Sequence, residues 1–259
     1  MNTPKIRIIP KLEIKGNKVI KGIRMEGLRV VGTPENLSNK YYYQGADEIL
    51  FIDTVASLYG RNHLTELVSQ TAENIKLPLC VGGGIRSLED AKNLLRSGAD
   101  KISLNTGICK KPELITELAN SFGSQSIVAS IQAKKIENSW EVYCNNGRER
   151  TGKNVVDWCQ EVLDRGAGEI LLTSIDQDGT KLGPDFNLIE TIQKYINVPL
   201  IVSGGISNVE DIIKLIDMEV YAIAIANILH FEKISINEIK LNLKNNNINS
   251  RIPNYNNNA

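Results

Sequence analysis

The sequence predicts an α/β chain folded as a (β/α)8 TIM barrel built from two duplicated half-barrels. First, the apolar run Leu79-Cys-Val-Gly-Gly-Gly-Ile85 is echoed by Leu200-Ile-Val-Ser-Gly-Gly-Ile206. Each run breaks into glycines and enters an amphipathic helix, Ser87–Leu95 and Asn208–Ile216. Second, Gly45-Ala-Asp-Glu-Ile-Leu50 returns as Gly166-Ala-Gly-Glu-Ile-Leu171, and these pairs, like Gly84 and Gly205, stand 121 residues apart. A period of half the chain is duplication of a half-domain, because solenoids repeat every ~20–50 residues. Third, strand–helix alternation over 259 residues suits an eight-stranded parallel barrel, typically about 250 residues long.

The elements are expected in this order. A first strand, Ile6–Ile14, is followed by the polar turn Lys15-Gly-Asn-Lys18 and a long, glycine-punctuated loop from Lys21 to Pro34. The first helix covers Glu35–Gln44, and Tyr41-Tyr-Tyr43 reads as one of its amphipathic faces. Strand two, Glu48–Asp53, ends on an acid; strands three and four are Leu79–Val81 and Lys101–Leu104. The next helix begins near Pro112, since proline suits a first helical turn. Strand five, Ser126–Gln132, runs into a polar hairpin with Glu141-Val-Tyr143 as a strand beside Asn145-Asn146-Gly147. Strand six is Glu169–Thr173, with Asp176-Gln-Asp-Gly-Thr180 in its loop; strand seven ends at Ser203, and strand eight is Ala222–Ala226. One barrel domain is expected over 1–242, with an Asn-rich, frayed tail over 243–259, too poor in apolar groups to pack.

Composition narrows the function. With 42% apolar residues the chain can bury a sizeable single core. Thirty basic and thirty acidic residues cancel, so nothing marks it for nucleic acid or an anionic membrane. No run reaches transmembrane length and no apolar leader is evident, which suits a cytoplasmic protein. Cys80, Cys109, Cys144 and Cys159 are scattered without a CxxC pair, as for reduced thiols, and only His63 and His230 are present. No metal and no cofactor are expected.

In such a barrel, chemistry sits at the C-terminal ends of the strands. Two half-sites emerge there: Gly83 and Gly84 with Asn105 and Thr106, and Gly204 and Gly205 with Ala226 and Asn227. Each reads as a phosphate cradle of backbone N–H groups that glycine lets a ligand approach. The alternative is that the glycines only close tight turns. Twin cradles suit a small molecule with a phosphate at each end.

With these residues in view, the chain resembles a known family from residue 5 to about 240. Val19-Ile-Lys-Gly22, Tyr43-Gln-Gly-Ala-Asp-Glu48, Val81-Gly-Gly-Gly-Ile-Arg86, Gly98-Ala-Asp-Lys101, Phe122-Gly-Ser-Gln125, Gly166–Ser174 and Asp178-Gly-Thr180 resemble the cyclase subunit of imidazole glycerol phosphate synthase. The resemblance implies a two-protein machine, in which a separate glutaminase hydrolyses glutamine and ammonia rises through the barrel to a bisphosphate substrate. It adds Asp178 and Gly179 to the phosphate-binding set. It places Lys21, Asp53, Thr173, Asp176 and Ser203 on the substrate wall, and Asn227 where the family usually has serine; either side chain can cap a helix.

The resemblance also implies two catalytic aspartates, ending strands one and five. Here those positions hold Glu13 and Gln132. Glutamate keeps a titratable group but displaces it by one methylene, about 1.5 Å, enough to matter where reacting groups must be positioned. Glutamine cannot carry a proton, and general acid–base transfer is worth roughly 10²–10⁴-fold. The family's paired-acid chemistry is therefore not expected. At the opposite face, Arg7, Glu48, Lys101 and Glu169 match a salt-bridged ring through which ammonia enters, and Asp100 matches a position that docks the glutaminase. A bare ring is more often structural, but burying it costs desolvation that pairing only partly offsets, and the resemblance favours an ammonia gate.

The leading expectation is a divergent paralogue that forms a heterodimer with a glutaminase and relays ammonia into another biosynthetic amidation. Sugar amidination for surface glycans, with a further amidotransferase, is the home the resemblance implies. The alternatives are a genuine histidine-pathway cyclase, forming imidazole glycerol phosphate and an aminoimidazole carboxamide ribotide, and a non-catalytic subunit that binds and activates the glutaminase.

Overall fold

The computed structural model describes residues 5–55 and 64–251. His63 and residues 252–259 of the tail lie outside these. Eight parallel strands close the barrel: β1 (Arg7–Lys15), β4 (Ile49–Asp53), β5 (Leu79–Gly82), β6 (Lys101–Leu104), β7 (Ile127–Ile136), β10 (Glu169–Ser174), β11 (Leu200–Ser203) and β12 (Ala222–Ile225). Each pairs with the next, β12 returns to β1, and β7–β10 pairing completes the circle. The fold class read from the sequence is the fold observed.

Helices follow each barrel strand. They are α1 (Pro34–Tyr43), α2 (Leu64–Asn74), α3 (Leu88–Arg96), α4 (Thr106–Lys110) with α5 (Glu113–Phe122), α6 (Val155–Asp164), α7 (Phe186–Gln193), α8 (Val209–Asp217), and α9 (Asn227–His230) with α10 (Ile236–Asn245). The duplication extends to the caps. Ser87 Oγ accepts the Asp90 N–H at the start of α3, and Asn208 Oδ1 accepts the Asp211 N–H at the start of α8. Such a cap satisfies a backbone donor that the first helical turn leaves open. Among the described residues no helix is long and apolar enough to cross a membrane.

Strand alternation sorts the apolar residues into two cores. Ile8, Leu12 and Ile14 pack outward between sheet and helices, with Phe51, Val81 and Trp158 in the same cluster. Ile9, Leu50, Cys80, Val128, Leu171 and Ile201 fill the lumen as a separate cluster. Leu243 is buried near the end of α10, after which the Ile6 N–H donates to the Asn249 carbonyl and Arg251 reaches Asp47.

Two expectations are corrected. The Lys21–Pro34 span is not a loop, because β2 (Lys18–Ile23) and β3 (Glu26–Gly32) form an antiparallel hairpin continuing β1. Its turn residues Arg24 and Met25 both have positive φ, 52° and 62°, where Asn or Gly is the usual signal. Met25 packs with Tyr143 and Ile175, and that tertiary contact holds the turn. The matching hairpin of the second half is β8 (Ser139–Cys144) with β9 (Glu149–Asn154). The chain also turns helical before Pro112, in the short α4; Pro112 is the N-cap of α5.

Candidate active site

Both glycine turns stand at the C-terminal rim, as expected. At Gly83, φ is +112° and a Cβ would lie 2.5 Å from the Asp53 carbonyl oxygen, so only glycine lets β5 turn this close to β4. Gly205 is tighter still, a Cβ there falling 2.0 Å from the Gly183 carbonyl. A cavity of about 680 Å³ opens over the first turn, with Gly83, Gly84, Asn105, Thr106, Asp53 and Gln132 in its wall. Asn105 Nδ2 donates to the Ser130 and Tyr143 carbonyls at 3.0 and 3.2 Å. That side chain braces β7 and β8 rather than facing a ligand. Over the second turn lies a much smaller cavity of about 10 Å³, bordered by Lys21, Asp178, Gly179, Ser203, Gly204, Gly205, Ala226 and Asn227. The two predicted half-sites are thus each brought together.

Three residues sit differently from a simple rim position. Asn227 does not cap: Ala226 is the N-cap of α9 and makes no side-chain bond. Asn227 Nδ2 instead donates to the Gly179 carbonyl at 3.0 Å, tying the β10 loop to α9. Asp176 turns outward, its carboxylate accepting the Lys135 N–H at 2.8 Å. Thr173 is buried on β10 beside Gln132 on β7, and neither Thr173 nor Asp176 borders the two cavities.

Glu13 is surrounded by charge. Lys21 Nζ lies 2.8 Å from its Oε2, and Lys11 Nζ lies 3.0 Å from its Oε1. Lys21 also pairs with Asp178 at 2.7 Å. All four side chains are buried, two of each sign. Burial pushes the Glu13 carboxyl up, but the Lys21 and Lys11 ammonium groups outweigh it and bring it down to about 2. Burial likewise works against the Lys21 charge, and Glu13 and Asp178 reverse that and raise it. At neutral pH Glu13 is a fixed, doubly held carboxylate. Gln132 is fixed too, its Oε1 accepting the Gly147 N–H at 2.8 Å. No proton acceptor of ordinary basicity is left at the two positions where acids were sought.

The lower ring is closed in the structure. Arg7 donates to Glu48 at 2.9 Å and to Glu169, while Lys101 reaches Glu48 at 3.1 Å and Glu169 at 2.9 Å. The two acids are nearly fully buried and the two cations partly so. Burial lowers both cations, and the paired carboxylates overcome it and raise them. One Glu48 oxygen, Oε1, has no hydrogen-bond partner among the described residues. Asp100 stands beside the ring, exposed, with Oδ2 accepting the Leu79 N–H at 2.8 Å.

His230 has a structural role, held by two buried contacts. A carbonyl can only accept, so Nε2–H donates to the Lys11 carbonyl at 3.1 Å, leaving Nδ1 to accept from Tyr41 Oη at 2.7 Å. Burial lowers its pKa to about 4, against a smaller opposing pull from Glu13. The unfolded chain therefore binds a proton here that the folded one refuses, so this stability is present above about pH 6.5 and lost as pH falls towards 4. The urea midpoint should drop between about pH 7 and pH 5, and His230→Gln should flatten that drop. Equal slopes in the two proteins would exclude His230 as the cause.

What sequence reasoning missed is Lys11. Its signal was present, a lysine at an inward position of an otherwise apolar strand, but nothing local shows which acid it meets.

Fold and site together define a class: a doubled (β/α)8 barrel with a cavity over each glycine turn of its C-terminal rim and an ionic ring closing the other end. Residues 7–235 match the model of the histidine biosynthesis protein family. The chain is 54% identical to imidazole glycerol phosphate synthase subunit HisF of Legionella pneumophila, over 80% of this chain and 98% of that protein. It is 47% identical to the HisF subunit of Hydrogenobaculum sp., over 95% and 98%, and 45% identical to that of Prochlorococcus marinus, over 91% and 93%. The chain belongs to the family of HisF cyclase subunits of imidazole glycerol phosphate synthase.

Proposed function

We propose that this barrel is a HisF-like subunit that receives ammonia from a separate glutaminase at its lower ring. It then relays the ammonia to another biosynthetic amidation, of the sugar-amidination kind, instead of cyclising a histidine precursor. The observation that carries this is the upper site, where Gln132 cannot exchange a proton and Glu13 is held by two ammonium groups. The ring supports the lower half of the reading: four charged side chains meet where a small neutral molecule would enter, and their bonds can part locally. In this reading Asp100 meets the glutaminase, and the twin glycine turns hold a bisphosphorylated ligand. A further amidotransferase would take the ammonia at the top.

Identity of 43–54% to relatives named as imidazole glycerol phosphate synthase subunits favours a second reading, the histidine-pathway cyclase. Growth of a cyclase-deficient histidine auxotroph carrying this chain separates the two.

The partner is tested by titrating the barrel against the glutaminase encoded nearest to it, following complex formation and glutamate release. A specific complex with stimulated hydrolysis is expected, weakened by Asp100→Ala. Lys101→Ala should leave hydrolysis working while ammonia escapes to solvent. The absence of both complex and stimulation with every glutaminase of the same genome would remove the relay reading.

A further inference from the structure

A glutamine amide accepts through its oxygen and donates through its nitrogen, and a backbone N–H can bond only the oxygen. The Gly147 N–H donates to Gln132 Oε1 at 2.8 Å, so the turn between β8 and β9 fixes which way the amide faces. Nε2 is then the free end. No group among the described residues accepts from it, yet it is not sealed off, and Gln132 stands in the wall of the cavity of about 680 Å³. The same wall carries Ser130, on the same side of β7 as Gln132, and Ser103 on β6. Ser103 is 3% exposed, and its Oγ has no hydrogen-bond partner among the described residues. A buried hydroxyl in that condition is costly and calls for a partner. Charge points the same way. Arg86, Lys110 and Lys111 border the cavity, the last already paired with Glu117, against a single acid, Asp53, whose Oδ1 accepts the Val55 N–H at 2.9 Å.

We propose that Gln132 selects the ligand of this cavity: its Nε2 donates to a carboxylate of a small phosphorylated acid whose phosphate lies on the Gly83–Gly84 turn. A carboxylate only accepts, and a charged acceptor makes a shorter and stronger hydrogen bond than a neutral one. An aspartate in place of Gln132 would set like charge against that group. The amide thus does two things at once, removing the repulsion and supplying the donor, which is how a site comes to prefer one ligand over another. The inference rests on the first glycine turn holding a phosphate, as in the reading above, but its test needs no glutaminase.

Three matched pairs of probes are titrated calorimetrically into the purified barrel at about 0.15 M salt, which screens attraction between exposed charges beyond about 8 Å. They are 3-phosphoglycerate with glycerol 3-phosphate, 4-phosphoerythronate with erythritol 4-phosphate, and 6-phosphogluconate with glucitol 6-phosphate. Within a pair only the end away from the phosphate changes, from carboxylate to alcohol, and the three lengths sample the span from the turn to β7. In at least one pair the acid should bind about tenfold more tightly than the alcohol, the scale of one hydrogen bond to a charged group. Gln132→Asp should bring that ratio to about one or below, and Gln132→Met, which removes the donor without adding charge, should lower it at least about threefold. The Kd of the alcohol should stay within about twofold in both variants, whereas a merely structural loss would weaken both members of a pair alike. Either variant decides the question should the other fail to fold. A ratio below roughly threefold in all three pairs, or a preference for the acid that survives Gln132→Asp, would overturn the proposal and leave the phosphate cradle standing. Binding of none of the probes at millimolar concentration would remove the cradle together with it.

Discussion

Given the ribulosyl bisphosphate intermediate of the histidine pathway and ammonium salts, the purified barrel should cyclise it roughly 10²–10⁴-fold more slowly than relatives with acids at both positions. The deficit has two sources. Gln132 holds no transferable proton, and its Oε1 is committed to the Gly147 N–H of the β8–β9 turn. Glu13, with its carboxyl brought down to about 2 by Lys21 and Lys11, is too weak a base to collect a proton at neutral pH. A steady-state assay decides the matter, and turnover near that of the relatives would overturn the relay reading in favour of the cyclase. Gln132→Asp with Glu13→Asp should recover only part of the rate, because Lys11 still lies in the lumen beside the shortened acid. Adding Lys11→Ala to that pair should recover more.

Replacing Lys21 should be the most damaging single change to the fold. Lys21→Met keeps the length of the side chain but takes an ion pair from two buried acids, leaving Glu13 to Lys11 and Asp178 with no ionic partner among the described residues. Removing one partner of a buried ionic group costs about 3–5 kcal/mol, since the charge left behind is desolvated without compensation. Urea unfolding measures it. A loss below about 1 kcal/mol, the scale of an exposed ion pair, would mean that the cluster is wetter than its burial implies. The double change Lys21→Met, Asp178→Asn should recover much of the loss, because it removes the stranded Asp178 charge and leaves the Lys11–Glu13 pair in place. The pH dependence has a fixed sign. Glu13 has a folded pKa of about 2, below its unfolded value of 4.5. Its contribution is therefore complete above pH 4.5 and disappears as pH falls towards 2. In the wild-type chain this acid limb lies below the one set by His230, so the two should appear as separate falls in stability.

Much of the barrel was legible because its signals are local. Apolar runs that break into glycine, and the repetition of Gly84 at Gly205, place strands, turns and rim without knowledge of any contact. The ring at Arg7, Glu48, Lys101 and Glu169 was legible too, since strand starts in a parallel barrel all lie at one end. The β2–β3 hairpin was not. Arg24 and Met25 are poor residues for positive φ, and the packing of Met25 on Tyr143 and Ile175, distant in sequence, selects the turn. Asn227 also misled, since a capping side chain and one bonded to the Gly179 carbonyl look alike in the sequence.

The sequence by itself determined the doubled barrel, the two glycine half-sites, the charged lower end, and the replacement of the expected acids by Glu13 and Gln132. The first three follow from residue type and period, which fix backbone freedom and facing one strand at a time; the last is read against the acids that the family resemblance implies. Only the tertiary structure decided what Glu13 is. Its partners come from its own strand and from β2, and the β2 lysine is shared with Asp178 in the loop after β10, 157 residues from Lys21. Whether a carboxyl acts as an acid or as a fixed charge depends on the charges within a few ångströms of it, and in this chain barrel closure brings them there.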